Sequence, residues 1–127
     1  MKSKKIILIL RIAVAIILIQ TLRFKFTAHP DSVYIFETVG LEPFGRIGIG
    51  ILELIAGILL LIPKSVWMGA SLSLGLMAGA IMMHLTQLGI EVKGDGGILF
   101  YTALITFTLS GIILYSERKS IPFLKLN

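Results

Sequence analysis

A single carboxylate at the centre of a long apolar stretch places the tightest constraint on this chain. Phe44–Ile62 reads FGRIGIGILELIAGILLLI, and its only acidic residue is Glu53. At a rise of about 1.5 Å per residue, a helix of this length spans about 28 Å, which is the thickness of a bilayer's hydrocarbon core. Glu53 is therefore predicted to lie near the midplane, where it must face protein or water and needs a partner.

The composition is that of an integral membrane protein. Hydrophobic residues make up 56% of the 127 residues and charged residues only 15%, against about 25% charged residues in soluble domains. Lysine and arginine together outnumber aspartate and glutamate by 12 to 7. These cations stand at the ends of apolar runs, so they indicate membrane orientation and not a nucleic-acid interface.

The chain has no cysteine and only two histidines, His29 and His84. The lack of cysteine excludes disulfide relay, thiol catalysis, iron–sulfur clusters and cysteine-ligated zinc within this chain. Two isolated histidines also lack the pairing that haem ligation needs. We therefore expect no haem, iron–sulfur cluster or structural metal, and the sequence offers no basis for an intrinsic reaction.

Four apolar runs have the length of membrane-spanning helices, and the breaks between them carry turn residues. We predict an all-α integral membrane protein that forms one domain, residues 1–127. Its fold is predicted to be an antiparallel bundle of four transmembrane helices, with a short amphipathic segment between the first two. The predicted helices cover about 6–24, 44–62, 66–88 and 98–115.

The long connection between the first two runs contains a segment, about residues 31–40, in which apolar side chains are interleaved with polar ones. Its apolar members include Val33, Tyr34, Phe36 and Val39, and its polar members include Asp31, Glu37 and Thr38. The pattern predicts a short amphipathic helix in the headgroup region, which ends at Gly40. The alternative is an irregular loop packed on the end of the bundle.

The basic residues predict the orientation. Lys2, Lys4, Lys5, Lys64, Arg118, Lys119 and Lys125 fall on one side of the predicted bundle, and Arg23, Lys25, Arg46 and Lys93 on the other. By the positive-inside rule, both termini are predicted to be cytoplasmic and the amphipathic segment to face outward. The expected location is the inner, cytoplasmic membrane of a bacterium.

Glu53 belongs to one stripe of the second helix, with Arg46, Gly50, Gly57 and Leu60 at intervals of three and four residues. The two glycines allow a neighbouring backbone to approach closely, so this stripe is expected to face the bundle interior. A structural role for Glu53, as an ion pair or a protonated hydrogen-bonding acid, and a role as a ligand or proton site both stay open.

Arg11 is the candidate partner of Glu53. Measured from the predicted cytoplasmic boundary, Arg11 lies about 7 Å deep and Glu53 about 13 Å deep, and two long side chains can close that gap. We therefore predict an Arg11–Glu53 ion pair. The alternative is that Arg11 extends its side chain to the inner headgroups.

The third helix carries two different faces. Ser71, Gly75 and Gly79 form a ridge that is predicted to pack closely against another helix, while His84 and Gln87 lie on nearly the opposite face near the outer end. His84 could titrate, bind a metal or hydrogen-bond a ligand carbonyl. A satisfied structural histidine is the alternative, and a metal site would need further ligands.

An ordered set of motifs resembles the DoxX-like membrane proteins over about residues 6–115. The set is Arg11, then Lys25 in Arg-Phe-Lys-Phe, Gly-Leu-Glu-Pro-Phe before the second helix, Glu53 in Leu-Glu-Leu-Ile-Ala-Gly-Ile-Leu-Leu-Leu-Ile, and His84. The resemblance implies a four-helix membrane bundle. It also implies association with a terminal quinol oxidase, a thiosulfate:quinone oxidoreductase or another membrane oxidoreductase complex, while distant relatives act as assembly chaperones or cargo receptors. This chain lacks the cysteines of the thiol-redox relatives.

Two functions are therefore expected from the sequence. In the first, the protein is a non-catalytic subunit that holds a quinone or lipid near Arg11, Lys25, Glu53 and His84 for a membrane oxidoreductase. The alternative is a chaperone-like or scaffold protein that contacts another membrane protein, or a second copy of itself, through the Gly75/Gly79 ridge. A solute- or proton-coupled transporter is disfavoured because no inverted repeat is evident. A cavity beside Glu53 would favour ligand binding, and a solidly packed interior would count against it.

Overall fold

The protein is helical throughout the residues described by the computed structural model, which are 2–121 for the backbone and 4–121 for the side chains. Lys2 and Lys125, which entered the orientation prediction, lie outside the described side chains. The α-helices are α1 (Lys2–Phe26), α2 (Pro30–Thr38), α3 (Phe44–Leu61), α4 (Val66–Met83) and α5 (Ile98–Ser116). Short helical turns follow three of them, at Pro63–Ser65, His84–Leu88 and Arg118–Ser120.

Four of these helices are long and apolar enough to cross a membrane. The candidate spans are Lys4–Phe26, Phe44–Leu61, Pro63–Leu88 and Ile98–Ser116. Residues 2–121 contain no β-strand. The predicted all-α membrane fold with four spanning helices is therefore confirmed, and each helix matches one of the apolar runs in the sequence.

The segment predicted to be amphipathic forms α2. The His29 side chain caps its first turn, because Nδ1 accepts a hydrogen bond of 3.1 Å from the Asp31 backbone N–H, and Pro30 occupies the first helical position, where its missing N–H costs nothing. The helix ends before Gly40, whose positive φ of 78° suits a glycine. Ser32 and Phe36 are its buried residues, so α2 packs one face onto the bundle.

The long helices pack side by side, with α1 against α3, α3 against α4 and α4 against α5. Contact between α1 and α5 is much less extensive. Close approach of α1 and α3 occurs at two glycines: a Cβ at Gly57 would lie 3.0 Å from the Ile19 side chain, and a Cβ at Gly50 would lie 2.6 Å from the Phe26 ring. These contacts set the antiparallel register of α1 and α3.

The packed apolar core occupies one half of the bundle, near the helical turns Pro63–Ser65 and Arg118–Ser120. Its fully buried members are Val14, Leu18, Ala56, Leu60, Val66, Ala70 and Ile113. Gly69 allows α4 to lie directly on the α3 backbone. We call this the core end of the bundle, and the end that carries α2 the α2 end.

At the α2 end, the connection 89–97 joins the bundle to α2. Lys93 Nζ lies 3.6 Å from Asp31 Oδ1 and 5.1 Å from the centre of the Tyr34 ring. Asp95 organises the same connection by accepting hydrogen bonds from the backbone N–H groups of Val92 and Leu99, among others. The α2 end is thus closed by a short helix and a structured turn, and not by a continuation of the apolar core.

Candidate functional site

A cavity of about 470 Å³ lies between the packed core and α2. All five α-helices contribute to its wall, which is mostly apolar. The polar residues in the wall are Gln20, Thr21, Lys25, Ser32, Glu53, His84, Thr102 and Thr106. This is the open interior beside Glu53 that would favour ligand binding over a purely structural bundle.

Glu53 is buried in the wall of the cavity, with 3% of its surface exposed. Lys25 Nζ lies 2.9 Å from Glu53 Oε1, and the Thr21 hydroxyl lies 3.2 Å from the same oxygen. Both polar contacts therefore fall on one carboxylate oxygen. The other oxygen, Oε2, has no hydrogen-bond partner among residues 4–121.

The predicted Arg11–Glu53 ion pair is wrong. Arg11 Nε instead donates a hydrogen bond of 2.8 Å to the Leu60 carbonyl oxygen. This contact places Arg11 level with Leu60, which is seven residues, or about 10 Å, along α3 from Glu53.

The direction of helical side chains explains why Lys25 takes the place expected for Arg11. Side chains on a helix lean toward its N-terminus. On α1, this tilt carries the Lys25 side chain back toward Thr21 and the level of Glu53, whereas it carries Arg11 away from Glu53. The depths used to predict the Arg11–Glu53 pair were counted along the helix backbones, so they did not include the direction in which each side chain leans.

Arg46 lies on the same buried stripe of α3 but pairs locally. Its Nε lies 2.9 Å from Glu42 Oε1 and 3.1 Å from Oε2, and its Nη1 donates to the Lys25 carbonyl oxygen in the last turn of α1. The Glu42–Arg46 spacing of four residues is a signal that could have predicted this pair. Arg46 thus binds the end of α1, the helix from which Lys25 reaches Glu53.

His84 is also buried in the cavity wall, with 6% of its surface exposed. Its Nδ1 lies 2.9 Å from the Gly89 carbonyl oxygen, and its ring contacts Phe100 edge to face at a centroid distance of 5.5 Å. A carbonyl can only accept, so Nδ1 must carry the proton of this hydrogen bond. In the neutral ring, Nε2 is therefore an acceptor, and it has no partner in the described part of the chain.

The backbone around His84 departs from α-helical geometry. Residues His84–Leu88 form a π-helical turn at the end of α4. Such turns are rare and occur frequently at functional sites. Within residues 4–121, no three histidine, aspartate or glutamate side chains lie close enough together to hold a metal ion.

Ser32 on α2 is a site residue that the sequence analysis missed. Its side chain is 1% exposed and lines the cavity. Its Oγ is the one fully buried side-chain oxygen or nitrogen, in the part of the chain described, that has no hydrogen-bond partner. The only sequence signal was a small polar residue four positions before Phe36, on the face of α2 that packs inward.

The glycine ridge of α4 does not pack against another helix of this chain. Gly75 and Gly79 line the cavity, and within residues 4–121 no neighbouring atom lies within 4 Å of a Cβ built at either position. Ser71 is exposed and donates to the Trp67 carbonyl oxygen. Close packing of Gly75 and Gly79 within the bundle is therefore wrong: both border the cavity, and Gly75 is also exposed.

The remaining predicted positions differ in whether they border the cavity. Gly50 and Gly57 lie at the contact of α3 with α1. Gln87 is exposed and does not line the cavity. Gly79 and His84, predicted to lie on nearly opposite faces of one helix, both border the cavity, because the cavity extends around the wall of α4 and the π-helical turn begins at His84.

A second depression of about 440 Å³ adjoins the cavity near α1 and the start of α5. Its wall contains Arg23, Thr27 and His29, and it shares Gln20, Thr21, Phe24 and Leu99 with the cavity. Gln20, Arg23 and His29 are exposed. The cavity therefore continues toward the surface where α1 and α5 make little contact.

Comparison with protein-family models assigns a family to this chain. A family model described as DoxX matches residues 6–86, more than half of the chain. The matched range includes Arg11, Lys25, Glu53 and His84, and it ends before α5. No curated protein and no solved structure shows significant similarity to the chain.

Proposed function

The chain belongs to the DoxX family of membrane proteins, and we propose that it is a binding protein that holds a lipophilic small molecule, a quinone or a lipid, in the cavity beside Glu53. The observation that carries this proposal is the open volume of about 470 Å³ next to the Lys25–Glu53 ion pair. The proposed role is that of a non-catalytic subunit serving a membrane oxidoreductase.

The size and lining of the cavity support a ligand. Protein interiors are packed as densely as organic crystals, and voids larger than a water molecule are few. Small-molecule sites measure about 300–1,000 Å³ and combine apolar walls with a few polar groups. This cavity falls within that range, and its polar groups include Lys25, Glu53 and His84.

The weak contact between α1 and α5 supports entry from the membrane. The depression beside Phe24 and Leu99 adjoins the cavity at that contact. A lipophilic molecule dissolved in the bilayer would reach the cavity between these two helices without crossing the packed core.

The scaffold alternative has weaker support. It depended on Gly75 and Gly79 as a ridge for contact with a partner helix, and both glycines border the cavity. Gly79, the less exposed of the two, leaves space that a ligand can occupy, while Gly75 is exposed.

Retention of a ligand during purification tests the proposal. The protein would be extracted in a mild detergent, and lipophilic molecules bound to it would be identified by mass spectrometry. A Gly79→Leu variant places a large side chain where the cavity has open space. We expect the wild-type protein to retain a defined lipophilic molecule in near-stoichiometric amount and Gly79→Leu to lose it.

The matched control is Gly48→Leu. Gly48 also has open space beside it but lies on α3 outside the cavity wall, so this variant should retain the molecule. Equal retention by both variants, or no molecule on the wild-type protein beyond bulk membrane lipid, would contradict the proposal.

A further inference from the structure

We propose that the occupant of the cavity is a neutral lipophilic alcohol or phenol, a quinol included, which donates a hydrogen bond from its hydroxyl group to the wall. This inference rests on the proposed function and specifies the chemical class of the ligand. It follows from hydrogen-bond acceptors that the protein leaves unused in the wall of the cavity, above all the second carboxylate oxygen of Glu53.

Glu53 Oε2 is the first unused acceptor. Lys25 and Thr21 both contact Oε1, and Oε2 has no partner within residues 4–121. Oε2 is not among the fully buried atoms that lack a partner, so it keeps some accessible surface. Because Glu53 lines the cavity and is otherwise buried, that surface faces the cavity. A carboxylate oxygen can only accept, and its bonds are stronger than those between neutral groups.

In its neutral form, His84 offers a second unused acceptor at Nε2. The hydrogen bond to Gly89 holds the proton of the neutral ring on Nδ1. His84 is likewise buried and lines the cavity, and Nε2 is absent from the fully buried atoms without a partner, so its accessible surface faces the cavity. A ligand carbonyl would therefore meet a lone pair at this position, and a ligand hydroxyl would meet an acceptor.

Ser32 Oγ is the third unused group, and it can both donate and accept. Leaving a buried hydroxyl without a partner costs about 1–3 kcal/mol. Ser32 Oγ has no accessible surface of its own, so it reaches a ligand by rotation of its side chain toward the cavity that the residue lines. A ligand hydroxyl would then satisfy it as donor or as acceptor. Since Ser32 projects from α2, a bond to the ligand would also join the short helix to the cavity contents.

The charges around the cavity favour a neutral donor over a cationic one. An ammonium group would also donate to Glu53, but Lys25 already supplies the balancing positive charge. A second cation would be left uncompensated in a low-dielectric interior, which is costly. An alcohol or phenol supplies the donor without adding charge.

The Lys25 ammonium has three N–H donors, of which Glu53 Oε1 engages one, while the proton on His84 Nδ1 is engaged by Gly89. A ligand hydroxyl can accept from Lys25 and donate to an unused acceptor at the same time, whereas a quinone carbonyl can only accept. Of the two redox forms of a quinone, the reduced dihydroxy form therefore matches the site better. The site is therefore expected to distinguish them by affinity.

Matched probes that differ only in the hydroxyl proton test this inference. Binding of 4-dodecylphenol, its methyl ether and a decyl-substituted benzoquinone would be measured by titration calorimetry on the full chain in detergent micelles. We expect the phenol to bind about tenfold or more tightly than the ether, because it alone donates to a charged acceptor. The quinone should resemble the ether, and its quinol, kept under anaerobic conditions, should resemble the phenol.

Ser32→Ala provides a variant in which no hydrogen bond within the protein is lost, because Ser32 Oγ has no partner among the described residues. We expect it to bind the phenol about fivefold more weakly and the ether unchanged, with folding stability equal to or above that of the wild type. The wild type and the variant are compared with the same probe, so the partition of that probe into detergent micelles affects both measured affinities equally.

The matched control is Ser73→Ala. Ser73 is also fully buried, but it pairs with Ser110 at 2.8 Å and does not line the cavity. This variant should lose folding stability and keep the preference for the phenol.

The possible failures are distinguishable. Equal affinity for phenol and ether on the wild-type protein would overturn the hydroxyl inference and leave the proposed function intact. Equal loss of both probes in Ser32→Ala would assign Ser32 to the shape of the cavity and also overturn it. Binding of neither probe, together with no retained molecule after purification, would overturn the proposed function itself.

Discussion

Lys25 Nζ, in the last turn of α1, lies 2.9 Å from Glu53 Oε1 at the centre of α3. This ion pair links two helices at the wall of the cavity, and it occupies only one of the two carboxylate oxygens. The pair therefore balances a charge that the membrane interior would otherwise disfavour, and it leaves the second oxygen of a cavity-lining carboxylate without a partner among residues 4–121.

Removal of one partner of this pair should destabilise the protein more than removal of both. Breaking a buried ion pair leaves an uncompensated charge and costs about 3–5 kcal/mol. We expect Lys25→Met to lower the free energy of unfolding by about that amount, and the double variant Lys25→Met/Glu53→Gln to regain most of it. Unfolding in mixed micelles, followed by circular dichroism, would measure the free energies.

Arg11 supplies the control for that experiment, because its side chain binds the Leu60 carbonyl oxygen. The effects of Arg11→Met and Glu53→Gln should add, as expected for sites without a shared partner. Coupling of Glu53 with Arg11 and not with Lys25 would contradict the ion pair described above.

Two glycines of α4 should respond oppositely to the same substitution. A Cβ at Gly69 would lie 2.7 Å from Leu60 N and 2.9 Å from Ala56 O, which are backbone atoms of α3. We therefore expect Gly69→Ala to destabilise the protein by about 1–3 kcal/mol through overpacking. Gly79→Ala meets open space and should be neutral or stabilising by about 1 kcal/mol through helix propensity. Thermal unfolding in detergent would compare them, and equal melting temperatures would contradict the α3–α4 contact.

The orientation of the chain can be tested with single cysteines, since the sequence has none of its own. Glu37 on α2 and Lys64 between α3 and α4 are both exposed. By the positive-inside rule, a membrane-impermeant maleimide should label Glu37→Cys in bacterial cells with a permeable outer envelope, and Lys64→Cys only after lysis. The reverse pattern would place the termini outside.

Asp95 should make stability depend on pH at the start of α5. Partial burial acts to raise the pKa of its carboxyl group, but backbone hydrogen bonds from Gly97, Val92 and Leu99, with a smaller electrostatic contribution from His84, outweigh that effect and hold the pKa below its ordinary value of 3.8. The stability that this group contributes is therefore fully present above the unfolded-state pKa and is lost as the pH falls through the lower, folded-state pKa.

The variant Asp95→Asn removes this titration. It should be less stable than the wild type at pH 6, and the difference should shrink as the pH falls below about 4. Unfolding free energies across this pH range would show it. A difference between the two proteins that stays constant down to pH 2 would rule out the proposed contribution of Asp95.

The local features of the fold were predictable from the sequence because each depends on a short stretch of chain. The lengths of the apolar runs predicted the four spanning helices, and the combination of apolar and polar residues before Gly40 predicted α2. The spacing of Gly50, Glu53 and Gly57 also predicted the buried face of α3, since residues three or four apart share one side of a helix.

The partner of Glu53 and the cavity were decided only by the tertiary structure. Whether Lys25 or Arg11 reaches Glu53 depends on the register of α1 against α3, which contacts such as that of Gly57 with Ile19 establish between residues far apart in the chain. The unpaired Ser32 hydroxyl and the open space at Gly79 likewise result from incomplete packing of the five helices at the α2 end. The sequence by itself therefore determined a membrane-spanning helical protein with a buried acid, because helix length and face follow from local spacing. Only the packing of the helices determined that this acid borders an open cavity, because packing depends on shape and register across the whole chain.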